Sequence, residues 1–209
     1  MTHNLGYACI NTNYGGQGKK NTTIKEAEKF YKSIIGQKVK TKNKKNKGEF
    51  GQLVEDKIGN TPSIAQLDLV DGEIKTVCLT PDNQIKEDLK IAKVWDKEYL
   101  EKKMENLLIV VRDKDETILD VRLCKPLSNP VFLKYFNSEF EQIMKIGLDK
   151  VSQSDTVVWV AKTNDSGKKE KNARAFYLAR AFVSALLGYK FSSTKRGAKE
   201  IYEEYKLNV

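Results

Sequence analysis

Five consecutive apolar residues, Leu107-Leu108-Ile109-Val110-Val111, constrain the fold more than any other stretch of the chain. The run is far too short to cross a bilayer. Its length and β-branched content read as a strand from Asn106 to Arg112, with Thr117–Leu123 as its neighbour and Thr156–Ala161 as a further short strand. Helical spacing lies on either side. Thr23-Ile24-Lys25-Glu26 has the spacing of a capping box, and Ala27, Phe30, Tyr31, Ile34 and Ile35 follow at helical intervals up to Gly36. Gly48–Ile58 reads as a second helix, Phe132–Val151 as a long amphipathic third, and Ala175–Leu187 as a fourth, rich in aromatics and leucine. Lys86–Glu105 is charged and partly helical, and the tail from Ser192 is basic and then helical. Ile64–Leu79 reads as two strands joined by Asp71-Gly72, a two-residue hairpin signal. The expected fold is therefore α/β, a mixed and largely antiparallel sheet flanked by helices. It forms a single domain over residues 23–209, after a loose polar segment over residues 1–22.

The residues that are scarce narrow the chemistry. The only histidine is His3, so catalysis by a histidine base and zinc sites built on histidine are both excluded. The three cysteines, Cys9, Cys78 and Cys124, have no C-x-x-C spacing and suggest neither a zinc site nor a disulfide framework. Catalysis must rest on carboxylates and lysines. The N-terminus lacks the apolar core of a secretory signal, so a cytoplasmic protein is expected, without a membrane partner. Lysine and arginine number 37 against 28 aspartates and glutamates, a net charge of +9. Such a surplus favours a polyanionic partner, although a basic surface can also serve solubility alone. The lysine run over residues 38–47 and the loop from Lys162 to Lys171 are the densest basic segments.

The hairpin carries the chemical argument. With Asp71-Gly72 as its loop, Asp68 faces Lys75 and Val70 faces Glu73. Paired residues, and residues two apart on one strand, share a face of the sheet. Asp68, Val70, Glu73 and Lys75 would then lie on one face, with Leu67, Leu69, Ile74 and Thr76 on the other. Two adjacent carboxylates repel unless a cation lies between them. Oxygen donors at that spacing suit Mg2+, which commonly takes one or two carboxylates together with waters and substrate phosphate. Lys75 would position or deprotonate a bound water, or stabilise developing charge. The same residues would also serve as a cross-strand salt bridge on a solvated face, with Glu73 as one more exposed charge. Asp71 reads as the turn residue rather than a metal ligand.

A family resemblance bears on this choice. Lys47-Gly48-Glu49-Phe50-Gly51-Gln52-Leu53-Val54-Glu55 resembles the K-G-x-x-G-x-x-x-E helix of the MutH-like endonucleases. These comprise a mismatch-repair nicking enzyme and its GATC-cutting restriction relatives, with a restriction-endonuclease-like fold of two lobes around a DNA cleft. Asp68 and Glu73-Ile74-Lys75-Thr76 resemble that family's D-x(n)-E-L-K-T segment. Arg174-Ala175-Phe176-Tyr177-Leu178 with Phe182-Val183-Ser184-Ala185-Leu186-Leu187 resembles its R-G-F-Y-L-x-x-x-F-T-S-A-L-L segment. The three blocks occur in family order and together span most of residues 25–191.

The resemblance implies roles position by position. Asp68 and Glu73 match the metal ligands, Lys75 the catalytic lysine, and Glu55 the helix glutamate that assists the metal site. Lys103 matches a further lysine near the active site, with Lys102 as the other candidate. Lys47 would contact DNA. Tyr177 and the loop from Lys162 to Lys171 would lie where the family reads its sequence. Within that loop Lys162 is assigned to base reading, and Lys168 and Lys169 to phosphate, with Arg180 on the helix that follows. Two departures stand out. The spacing from aspartate to glutamate is shorter than in the nicking enzyme, and the Arg-Pro-Lys triplet of the recognition loop is absent, with Ala161-Lys162-Thr163 near it. The resemblance thus carries the chemistry further than a GATC-related recognition site. The expectation is a Mg2+-dependent type II restriction endonuclease acting on double-stranded DNA, as a monomer in solution or a dimer on a palindromic site. Its rivals are a strand-nicking enzyme with mismatch-repair partners and a non-catalytic basic DNA-binding module.

Overall fold

A computed structural model of the chain describes residues 22–41, 48–58, 67–148, 150, 158–162, 174–193 and 196–206, with the backbone alone for 158–162, 174, 196 and 197. The helices are α1 (Ile24–Ser33), α2 (Glu49–Lys57), α3 (Lys97–Glu105), α4 (Pro130–Ile146), α5 (Arg180–Leu187) and α6 (Arg196–Lys206). The strands are β1 (Glu73–Cys78), β2 (Leu89–Ala92), β3 (Leu107–Arg112), β4 (Ile118–Cys124), β5 (Val158–Lys162) and β6 (Arg174–Leu178). The chain is an α/β protein with a small mixed sheet in the order β1-β3-β4 and an antiparallel one in the order β2-β6-β5. Among the described residues no helix is long and apolar enough to cross a membrane.

The apolar run is the centre of the first sheet. β3 pairs in parallel with β1 and antiparallel with β4. All five of its apolar residues are buried because both faces are covered. Leu107, Ile109 and Val111 face a large core built with α3, α4, α5 and α6. Leu108 and Val110 face a smaller one built with α1, α2, Leu69 and Ile74. Each such residue contributes about 1.5–3 kcal/mol by leaving water. The first sheet is therefore a septum between two cores, and it carries β1 with it.

The helix boundaries follow local chemistry. The capping box at α1 forms as expected. Glu26 N donates to Thr23 Oγ1 at 3.3 Å and Thr23 N to Glu26 Oε2 at 2.8 Å. At α4, Asn129 Oδ1 accepts from Val131 N and Phe132 N, Pro130 occupies the first turn, and Gly147 ends the helix at φ 94°. Two details tie α2 to α1. Tyr31 donates its buried hydroxyl to Val54 O, and Thr22 Oγ1 donates to Ile58 O at 3.0 Å. Thr22, expected in the loose N-terminal segment, is thus anchored; the rest of that segment lies outside the described residues.

Two expectations are overturned. The stretch read as one helix from Ala175 is a strand to Leu178 and a helix only from Arg180. Tertiary pairing overrides helical spacing here: β6 is the middle strand of its sheet, with β2 and β5 on its two sides. The chain breaks at Ala179, and Asp88 Oδ1 accepts from Arg180 N at 2.7 Å to cap the new helix. The hairpin across Asp71-Gly72 is also absent. Residues 67–72 bend rather than extend, and β1 takes β3 as a parallel neighbour. One donor of the bend leaves it and another closes it. Val70 N donates to Thr22 O at 3.2 Å and Leu69 N to Gly72 O at 2.9 Å. Asp71 Oδ1 accepts from Ile24 N at 2.7 Å, at the open end of α1.

Gly72 has no left-handed conformation, so the expected primed turn is not its reason. Its reason is space. A β-carbon there would stand 2.5 Å from Ile24 Cδ1 and 2.8 Å from Asn106 O. The isoleucine tip can turn aside. The carbonyl cannot, because it accepts from Glu73 N at 2.9 Å. Gly72→Ala is therefore expected to cost about 1–3 kcal/mol of stability, measured by urea denaturation.

Candidate active site

β1 starts at Glu73, and its alternation sets the directions of the side chains. Ile74 enters the smaller core, while Val77 enters the larger one. Glu73 and Lys75 share the parity of Val77 and so point to the side of α3. The carboxylate of Glu73 is consequently 1% exposed. The polar face expected to be open to solvent is instead roofed by α3, whose Lys103 is itself buried.

The cluster closes around Glu73. Lys103 Nζ donates to Glu73 Oε1 at 2.6 Å. Lys75 Nζ donates to the same oxygen, to Asp68 Oδ2 at 3.0 Å and to Ile74 O at 3.0 Å. Asp68 N donates to Glu73 Oε2 at 3.2 Å, and Ile74 N approaches Asp68 Oδ2 at 3.4 Å. Asp68 thus reaches Lys75 and Glu73 as the sequence suggested, but through the bend at 68–72 and not through a ladder. Asp71 lies apart, on the N-terminus of α1. Lys103, rather than its exposed neighbour Lys102, is the lysine that meets the cluster.

Burial and charge compete at each group. Burial pushes the Glu73 carboxyl above its ordinary range, Lys75 and Lys103 draw it back, and nearby Asp68 raises it again. Asp68 feels the same burial, but the Lys75 ammonium and its hydrogen bonds outweigh it and hold the carboxyl below its usual value. Burial would lower Lys75, yet Glu73 and Asp68 raise it, so the amine is held in its charged form. Glu55, on the α2 turn that follows Val54, is pushed up to about 7, first by burial and then by Asp68, with Lys75 opposing.

No protein-family model matches the chain, and no curated protein matches it.

The donor set suits a hard divalent cation. Asp68 Oδ2 and Glu73 Oε1 both reach one ammonium, so both can reach one cation. Among the described residues no group of three or more histidine, cysteine, aspartate or glutamate side chains is arranged to hold a metal. Two carboxylates are nonetheless a sufficient protein contribution for Mg2+, which keeps several waters.

The remaining candidates are spread more widely. Lys47, Lys168 and Lys169 lie outside the described residues. Lys162 ends β5 opposite Arg174. Tyr177 stands on β6 rather than on a helix, half-buried and in register with Lys90 and Trp159. Arg180 is exposed at the first turn of α5. Sequence reasoning missed Asn106, which touches Asp71 and Glu73 on either side of Gly72; a lone asparagine before a strand carries no signal of that role.

The raised Glu55 group has a consequence for stability. Its folded pKa lies above the unfolded value, so its contribution is present below about 4.5 and is lost as pH rises through about 7. Glu55→Gln should match the wild type at pH 4.5. At pH 8 in EDTA it should exceed the wild type by about 1–2 kcal/mol, after allowance for solvent screening. Urea titrations at both pH values measure the difference.

Proposed function

We propose that the chain is a Mg2+-dependent endonuclease of the restriction-endonuclease-like class, in the MutH-like family, that hydrolyses phosphodiester bonds of duplex DNA as a type II restriction enzyme. On this reading the DNA lies in a cleft between two lobes. The observation that carries it is the convergence of Asp68 Oδ2 and Glu73 Oε1 on a single cationic atom, beside a second lysine and a third carboxylate. The net charge of +9 supports a polyanionic substrate.

Asp68 and Glu73 would hold the cation, which when bound neutralises phosphodiester charge and lowers the pKa of a coordinated water. Lys75 remains protonated between two carboxylates, so it suits charge stabilisation at the scissile phosphate better than proton abstraction. Lys103 balances Glu73 in its dry setting. Glu55, with its pKa at about 7, can take a proton from water near neutral pH, the range in which a general base works best. Base reading by Lys162, and phosphate contacts from Lys47, Lys168 and Lys169, with Tyr177 and Arg180 at the same groove, belong to the same proposal.

Incubation with unmethylated supercoiled plasmid and Mg2+, followed by sequencing of the ends, tests the reading. Linear product with defined ends is expected, and EDTA should abolish it. Nicked circle alone would favour the strand-nicking alternative; retarded but uncut plasmid would favour a binding module. Glu73→Gln and Lys75→Met should each lower cleavage at least about a thousandfold. Glu73→Ala is the poorer probe, since it strands two ammonium groups in a buried site at a cost of about 3–5 kcal/mol. Cleavage by Glu73→Gln at close to the wild-type rate would rule out this site.

A further inference from the structure

We infer that Asn106 is a positioning residue for the carboxylate pair, holding the bend at 68–72 so that Asp68 and Glu73 converge; this rests on the cation-binding role just proposed for them. Pairing of β1 with β3 begins at Glu73 opposite Leu107. The ladder therefore fixes Glu73 and everything after it, but not the bend before it. Asp68 lies five residues upstream, and its carboxylate reaches Lys75 only if the bend keeps its shape.

Asn106 joins the bend to the ladder. Its backbone carbonyl accepts from Glu73 N at 2.9 Å, and its side-chain amide donates to Asp71 O at 3.1 Å. The two contacts bracket Gly72, which has space for no β-carbon against the same carbonyl. Asn106 is also the C-terminal cap of α3, directly after the turn that carries Lys103 to Glu73 Oε1. One helix end thus delivers an ammonium to the carboxylate and an amide to the peptide that leads into it. The side chain of the same Asp71 is held separately from α1, by Ile24 N on its Oδ1, and the upstream part of the bend by Val70 N on Thr22 O. The side chain needed at 106 is short and ends in a donor. Aspartate has the reach without the donor, and alanine has neither. The carbonyl contact survives any substitution, so a side-chain variant isolates the amide.

The test compares Asn106→Ala and Asn106→Asp with the wild type in three measurements: Mn2+ affinity by electron paramagnetic resonance, kcat and KM on plasmid with Mg2+, and thermal unfolding. Both variants should bind Mn2+ about tenfold more weakly and lose a similar factor in kcat, as supports of metal ligands typically do. KM for plasmid should stay within about twofold, because no uniform DNA contact is removed. Wild-type Mn2+ affinity and kcat in both folded variants would overturn the inference. So would a rise in KM with kcat unchanged, which would mark a DNA contact instead. Should Asn106→Ala fail to fold, Asn106→Asp carries the test alone, since it keeps the size of the side chain without its donor; wild-type Mn2+ affinity there overturns the inference equally. A wild type that binds Mn2+ but cuts no DNA defeats the nuclease reading alone, and the Mn2+ titration then decides the role of Asn106. A wild type that binds no Mn2+ defeats both.

Discussion

The burial of one carboxylate organises this molecule. Glu73 is placed at the head of β1, under α3, where an isolated charge would cost several kcal/mol. Lys75 and Lys103 make that position tolerable, and each comes from a different part of the chain. The pairing imposes order beyond the site. α3 must end where its Lys103 can reach Glu73, and β3 must begin directly after it, at Leu107, opposite that residue. Buried ion pairs seldom stabilise a fold relative to apolar residues of similar volume. The neighbouring core contains Leu100, Met104 and Leu107, among which an apolar side chain at position 73 would be at home. On the nuclease reading, the arrangement serves the site rather than the stability of the fold.

The rest of the fold delivers groups to that point from opposite directions. The first sheet separates two cores, so α3 and α2 belong to opposite faces of it. α3 brings Lys103 and Asn106, while α2 brings Glu55 close enough for its pKa to respond to Asp68 and Lys75. Loops are tied to distant helices by one repeated device. Asp71 accepts from the first backbone N–H of α1, and Asp88 from the first of α5. In each case a carboxylate meets the positive end of a helix, an interaction of about 0.3–1 kcal/mol that also satisfies an otherwise orphaned donor. The segments entering β1 and β2 are in this way fixed by residues 47 and 92 positions away in sequence.

Local rules read much of this from the sequence, and non-local pairing accounts for the rest. The capping box of α1, the strands β3 and β4 and the amphipathic α4 depend on neighbours a few residues apart, and each forms close to where its pattern places it. Glu73 and Lys75 share a face whatever strand lies beside them, so that part of the site was legible from spacing alone. Asp68 was placed beside Lys75 by assuming a hairpin; the neighbour is right and the geometry is not, because a bend does what a ladder was expected to do. No local pattern distinguishes a strand that pairs with its predecessor from one that waits for a partner more than thirty residues later. Alternation of polar and apolar residues also looks the same whether water or α3 covers the polar face, which is why the burial of Glu73 was invisible. In Ala175-Phe176-Tyr177-Leu178 the apolar residues satisfy both periods, and only the second sheet chooses between them.

The charge balance of the cluster would, on the nuclease reading, couple the binding of a cation to that of a phosphodiester. Near neutral pH, Asp68 and Glu73 oppose Lys75 and Lys103, and Glu55 is divided between its protonated and ionised forms. The group is then close to neutral or slightly negative. It has little attraction for a phosphodiester by itself, despite the basic surplus of the whole chain. On the nuclease reading, a divalent cation held by Asp68 and Glu73 would reverse the local sign and favour an anion, and it would leave coordination free for a phosphate oxygen. On the nuclease reading each ligand therefore raises the affinity of the other, and by the same factor, since the coupling free energy belongs to the pair and not to either one. The long-range field of the lysines would gather DNA to the protein without selecting where it binds. Selection of the scissile phosphate would then fall to the few ångströms around Glu73, where cation and substrate would each depend on the other.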